Sequence, residues 1–200
     1  MEVDPAFDVD RKIKSVEEFS MCGRILMLFI VLSIVSSSVF AQDPKTLFQG
    51  YIDELEIRKV VDGVDNTCDA KDWKKCRDFF LDEIDVDFTS LVGGSPSHMK
   101  ADDLIAAWNT GLYKEKLSHH MRSNHRIEIT GDLAEVFSKG YALNILQLKN
   151  GSDLWEVWGD YYHTLKKTEK GWRVSKMKFV VTHARGNEKV REYIPEVGKK

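Results

Sequence analysis

Apolar residues recur at two different periods along this chain, and the change of period predicts helices first and strands afterwards. From Thr46 to Thr67 the positions Leu47, Tyr51, Leu55, Val60 with Val61, and Val64 return mostly at helical spacing, which predicts one long amphipathic helix. Asp72 is a good N-cap for a second helix carrying Trp73, Cys76, Phe79 and Phe80. Ile84, Val86 and Phe88 alternate with Asp85 and Asp87, the period of a half-buried strand. Gly93-Gly94-Ser95-Pro96 reads as a loop, and Asp102 and Asp103 open a third helix that ends near Gly111. The remainder reads as β: Arg126–Thr130, Leu133–Leu148 with a bulge or bend at Gly140, Leu154–Thr168, and Trp172–Thr182. Gly131-Asp132, Asn150-Gly151 and Glu169-Lys170-Gly171 supply the turns. Helices followed by an antiparallel meander predict an α+β domain.

The segment before Gln42 does not belong to that pattern. Ile25 to Val39 is an almost unbroken apolar run, preceded by Arg24 and closed by Val39-Phe40-Ala41. These are the features of a secretory signal cleaved after Ala41, and the run is shorter than the ~20 residues of a membrane span. The expectation is a secreted or periplasmic protein with no stable membrane anchor after cleavage. Six acids between Met1 and Ser20 are foreign to such a leader and point to Met21 as an alternative start. The expected division is a leader over 1–41, a domain over 42–187 and a tail over 188–200.

Without the leader the chain has 25 Lys and Arg against 26 Asp and Glu. That balance, with no Lys/Arg cluster interleaved with aromatics, argues against nucleic acid as a partner. Cys68 and Cys76 remain after Cys22 departs with the leader. In one continuous helix they would stand ~12 Å apart, beyond a disulfide, whereas a bend at Asp69–Asp72 lets them meet; two buried free thiols is the favoured reading. A zinc site needs converging ligands, and His119, His120 and His125 lack that spacing on one strand face, so no metal is expected.

Three short stretches carry candidate chemistry: Cys68-Asp69-Ala70-Lys71-Asp72-Trp73, Asp87-Phe88-Thr89-Ser90 and Ser118-His119-His120. Together they resemble the SnoaL-like branch of the NTF2-like superfamily, and in motif the scytalone dehydratases most closely, over roughly Tyr51 to Asn187. The resemblance implies a cone: a strongly curved antiparallel sheet wrapped around the first helix, with a pocket at the open end. It places Asp69 on the family's catalytic Asp, His120 on its pocket His, and Asp72 on a second acid that reads as the helix cap. A neutral imidazole beside an ionised Asp accepts and returns a proton near pH 7. Either residue alone reads more plainly as a cap, a packed group or a surface group.

His119 and His120 point to opposite faces of their strand, and His119 and His125 are expected outside. On Leu154–Thr168, Trp155, Val157, Gly159, Tyr161, His163 and Leu165 share one face. Tyr161 falls on a pocket Asn of the dehydratases, so that face is expected to look inward. Tyr161 would offer its hydroxyl to a substrate oxygen, with His163, Phe88, Asn144 and Trp108 as further wall residues; core aromatics with satisfied polar tips is the even alternative for Tyr161 and His163.

The chain also departs from that pattern. Cys68 and Phe88 stand where the dehydratases have Tyr, and no His occurs near Asn144 to Leu146, where they have their second pocket His. The expected function is therefore a cofactor-free dehydratase, cyclase or isomerase acting on a small apolar oxygenated ring compound, rather than on scytalone. The alternative is a non-catalytic small-ligand module. A homodimer or small homo-oligomer is expected in either case.

Overall fold

The computed structural model describes residues 43–195. The leader, its cleavage point, Cys22 and the last residues of the tail lie outside the described residues. The chain divides into two units, Met1–Phe48 and Gln49–Lys200, and the fold described below is that of the second. No described helix is long and apolar enough to cross a membrane.

Helix α1 runs Pro44–Asp69, two residues beyond its hydrophobic pattern at each end. The stripe Leu47, Tyr51, Leu55 is exposed rather than buried. The buried face is instead Asp53, Ile57, Val60, Val61, Val64 and Cys68. Leu55 and Ile57 lie about 200° apart around the helix, so the two stripes cannot face the same core. A sharp elbow ends α1, with Lys71 in the left-handed region at φ 58° and the Asp72 amide donating to the Thr67 carbonyl at 2.9 Å. Asp72 caps α2 (Trp73–Arg77) as expected, its carboxylate accepting from the Lys75 amide. The elbow brings Cys68 Sγ to 3.6 Å from Cys76 Sγ, and both are buried free thiols.

Phe80 leaves the helix and opens β1 (Phe80–Asp87); α3 (Thr89–Val92), β2 (Ser97–Lys100) and α4 (Ala101–Gly111) follow. Then come β3 (Leu117–Thr130), β4 (Leu133–Ile145), β5 (Leu154–Thr168), β6 (Gly171–Gly186) and α5 (Glu188–Glu192). They form one sheet in the order β2-β1-β6-β5-β4-β3. Every neighbouring pair is antiparallel except β1 and β6, which are parallel. The architecture is α+β as expected, but the sheet is mixed where an antiparallel one was expected. Hairpins force β3 to β6 to alternate, but β1 and β6 are joined by no turn, so their relative direction is set by packing.

β3 begins nine residues before the stretch that its apolar pattern marks. Ser118, His120 and Arg122 fill its inward positions, so the start of the strand carries no hydrophobic alternation. The irregularity expected at Gly140 lies across the pair in β3, between Ser123 and Arg126, where Asn124 takes φ 55°. Gly140 has another role: a Cβ there would come within 2.4 Å of the Tyr161 ring, so the glycine lets that ring lie flat on the sheet.

A buried acid ties α1 to the last hairpin. Asp53 accepts from Lys167 Nζ at 2.7 and 2.9 Å and from Trp172 Nε1 at 3.0 Å. Burial alone would raise its carboxyl, but the Lys167 and Trp172 donors and the Lys167 charge outweigh it and hold the pKa below the ordinary value. A depressed carboxylate stabilises the fold above its unfolded pKa, and that contribution is lost as pH falls through the folded value. Asp53→Asn should therefore cost about 1–3 kcal/mol at pH 7, with a smaller loss at acid pH. Urea unfolding at pH 7 and near pH 3 measures both, and a pH-independent difference would contradict the assignment.

Candidate active site

Three aspartates on one stripe of α1, Asp62, Asp65 and Asp69, each meet a basic side chain of β3. The spacing of three and four residues places them on one helical face. Going up the helix while going back along the strand, they pair with His125, Arg122 and His120 in turn. β3 can present all three because of its bulge. Ser118, His120 and Arg122 point inward at intervals of two; the extra residue near Asn124 shifts the parity, so His125 points inward as well. This corrects the expected placement of His125, which is buried with Nε2 at 2.9 Å from Asp62. His119 does face outward and is exposed, 3.9 Å from Asp69.

Asp69 and His120 are joined by two bonds. His120 Nδ1 lies 2.7 Å from Asp69 Oδ1, and the His120 amide donates to Oδ2 at 2.7 Å. A carboxylate only accepts, so the shared proton sits on Nδ1 and Nε2 is left as the acceptor. Burial alone would raise the Asp69 carboxyl, but donors from the His120 side chain and backbone and from Ser118 hold it below its ordinary value. The Ser118 hydroxyl is fixed in turn by Lys71 Nζ at 2.6 Å. Asp69 thus remains an anion under all but strongly acid conditions.

Beneath this pair lies an ion pair of a different kind. Arg122, with 1% of its side chain exposed, makes two parallel bonds of 2.6 Å to Asp65. Its guanidinium carbon stands 3.8 Å from the centre of the Tyr161 ring. Burial opposes the charge of Arg122, but Asp65 more than compensates and its pKa is raised. Neither Asp62 nor Asp65 was singled out by local pattern; the signal that could have found them is the Asp-x2-Asp-x3-Asp spacing on α1.

A cavity of about 460 Å³ opens beside His120, within the usual range for small-molecule sites. Its wall is mainly apolar, with Val64, Phe88, Leu104, Trp108, Met177 and Phe179 among the lining residues, and His120, Asp65, Asn144 and Tyr161 supply polar atoms. Phe88, Trp108, Asn144 and Tyr161 all stand in this wall. Burial pushes the Tyr161 hydroxyl well above its ordinary pKa, so it stays a proton donor.

Two further placements differ from expectation. Asp69 was expected to aim into the cavity; it stands behind His120 instead and reaches the cavity only through that ring. His163 points inward but does not line the cavity. It lies against the Tyr161 ring with Nε2 3.4 Å from Arg122. Burial, then the Arg122 and His125 charges, push its pKa well down, so His163 is neutral packing. Its face was read correctly, but Arg122 fills the space between it and the cavity. Among the described residues no three His, Cys, Asp or Glu side chains cluster as a metal site would need.

Arg191 is a cavity residue that the sequence reading missed. Arg191 lines the wall from α5, in the segment assigned to the tail. Val190 beside it is fully buried, so the tail as far as α5 is part of the domain. A buried valine within a charged five-residue run was the available signal.

Residues 51–178 match the SnoaL-like domain family. No curated protein matches the chain in sequence. Among solved structures, the Kfla4162 protein from Kribbella flavida is 24% identical, with a TM-score of 0.68 over 72% of this chain and 99% of that one. A Novosphingobium aromaticivorans protein provisionally named scytalone dehydratase is 15% identical, with a TM-score of 0.60 over 76% and 97%. A type 2 hexachlorocyclohexane dehydrochlorinase is 14% identical, with a TM-score of 0.55 over 73% and 98%. At these identities the likeness is one of fold.

Proposed function

Since this chain belongs to the SnoaL-like domain family, we propose that it is a cofactor-free acid–base enzyme of the dehydratase, cyclase or isomerase type. The substrate is a small, largely apolar, oxygenated ring compound. One observation carries the reading: Asp69 is in direct contact with His120, which stands in the wall of a mainly apolar cavity. A gap wider than a water molecule between them would have favoured a passive ligand-binding module.

In this reading Asp69 fixes the tautomer and orientation of the ring, and His120 Nε2 takes a proton from a carbon next to a carbonyl. The electron pair moves onto the carbonyl oxygen, which accepts hydrogen bonds from Tyr161 and Asn144. His120 then returns the proton, to a departing hydroxyl with loss of water or to another carbon with a shift of the double bond. The apolar wall keeps water from competing and strengthens each polar contact. The names dehydratase and dehydrochlorinase borne by two structural neighbours denote eliminations, which fits proton abstraction as the first event.

The test needs no knowledge of the natural substrate. In D2O the protein should catalyse exchange of the hydrogens next to the carbonyl of 2-tetralone, a bicyclic ketone of suitable size, as followed by proton NMR. Exchange no faster than in buffer, with 2-tetralone shown to bind, would leave the binding module as the better reading.

A further inference from the structure

Arg191 lies beyond the stretch that matches the SnoaL-like family, yet its side chain forms part of the cavity wall. α5 is pinned in place: Val190 is fully buried, the Asn187 side chain donates to the Ser152 carbonyl at 2.8 Å, and the Arg191 carbonyl accepts from Lys116 Nζ at 2.8 Å. The guanidinium sits over the Trp155 ring at 5.7 Å. Its Nε and Nη2 bond Glu188 and Glu192 at 2.7 and 2.8 Å. Both glutamates are more than half exposed, and such pairs are screened and weak. Nη1 makes no bond among the described residues.

Two lysines stand near this group. Lys116 is wholly buried, with its ammonium against the Arg191 carbonyl and the Tyr113 ring. Burial, then the charges of Lys71 and Arg191, push its pKa down to about 8. The acids of the cavity wall and its backing are taken: Asp69 by His120 and Ser118, Asp65 by Arg122. Nη1 is thus the donor that Arg191 has left to offer, and a charged donor on an otherwise mainly apolar wall favours an anionic group such as a carboxylate.

We propose that the cavity selects ring compounds bearing a carboxylate, and that Arg191 is the residue that binds it. This rests on the catalytic reading above for which end of the ligand reacts. Trp155 pairs with Asn144, Asn144 with Ser118, and His120 lies two residues along β3 from Ser118. Two strand spacings and two residues put Trp155 and His120 on the order of 12 Å apart at the backbone. With both side chains reaching inward, a fused ring fits between the acid group at Arg191 and the reacting carbon at His120.

The probes are 2-naphthoate and its neutral isostere 2-naphthamide, titrated calorimetrically into the full protein, with the Trp108 indole resonance reporting entry into the cavity. Naphthoate should bind about tenfold more tightly than the amide, and its advantage should shrink with added salt. Arg191→Gln should reduce the preference to less than twofold, and Arg191→Lys should restore part of it. Because Arg191→Gln could loosen α5, the doubly neutralised variant Glu188→Gln/Glu192→Gln provides a second measure: it should tighten naphthoate and leave naphthamide unchanged. Equal binding of acid and amide, or a preference that survives Arg191→Gln, would overturn the inference. The 2-tetralone exchange separates the two readings, since that ketone has no acid group. Exchange without acid preference removes only this inference, and Arg191-dependent acid preference without exchange removes only the catalytic one.

Discussion

His120→Ala should slow deuterium exchange into 2-tetralone by roughly 10²–10⁴-fold, with little change in how tightly the ketone binds. The size follows from removing an imidazole at the cavity wall that has an uncommitted proton acceptor. His120 Nδ1 is committed to Asp69 at 2.7 Å, so Nε2 alone can reach the ligand. Asp69→Asn should fall part of the way, because an amide oxygen can accept from Nδ1 or from the His120 amide but cannot serve both bonds as the two carboxylate oxygens do. The Asp69 carboxyl is held below its ordinary pKa. Its support for the dyad is thus present above the ordinary carboxylate range and lost as pH falls through its depressed value. Exchange rates of the two variants against wild type, at matched saturation, decide the matter. A His120→Ala variant as fast as wild type would end the dyad mechanism.

The second large effect concerns stability. Asp65→Ala leaves Arg122, with 1% of its side chain exposed, as a buried charge without its bidentate partner. Breaking such a pair from one side costs about 3–5 kcal/mol, against a total stability of roughly 5–15 kcal/mol for a domain. Replacing both members by apolar residues, Asp65→Leu with Arg122→Met, should recover most of that loss, because no charge is then stranded. Urea unfolding of the three proteins measures it. A loss below ~1 kcal/mol in Asp65→Ala would mean that Arg122 finds water or another acceptor. The single variant should also disturb the cavity, since the guanidinium presses on the Tyr161 ring at 3.8 Å.

Periodicity and turn chemistry were enough to place most elements. α1, the Asp72 cap, the limits of β5 and its inward face carrying Trp155, Val157 and Tyr161 were all legible, because each depends on neighbours within one element. The resemblance of Cys68–Trp73 and Ser118–His120 to a known family was enough to single out Asp69 and His120. The structure adds that they touch.

What only the tertiary structure decided are matters of which element covers which. Hydrophobic spacing marks a buried face but not what it is buried against, so Asp53 under Trp172 and Arg122 against Asp65 carry no local sign. Tyr51 and Leu55 form an apolar stripe as regular as the one that is buried, and only packing chose between them. The parity of β3 was open for a related reason. Its inward residues are polar because their partners are the acids of α1, which erases the alternation that would have revealed the strand, and one extra residue near Asn124 then turns His125 inward. The position of Arg191 depends on a contact between the chain's end and the start of β3, some 75 residues apart. Contacts of that range are fixed by the packing of whole elements, and a pattern read within one element carries no record of them.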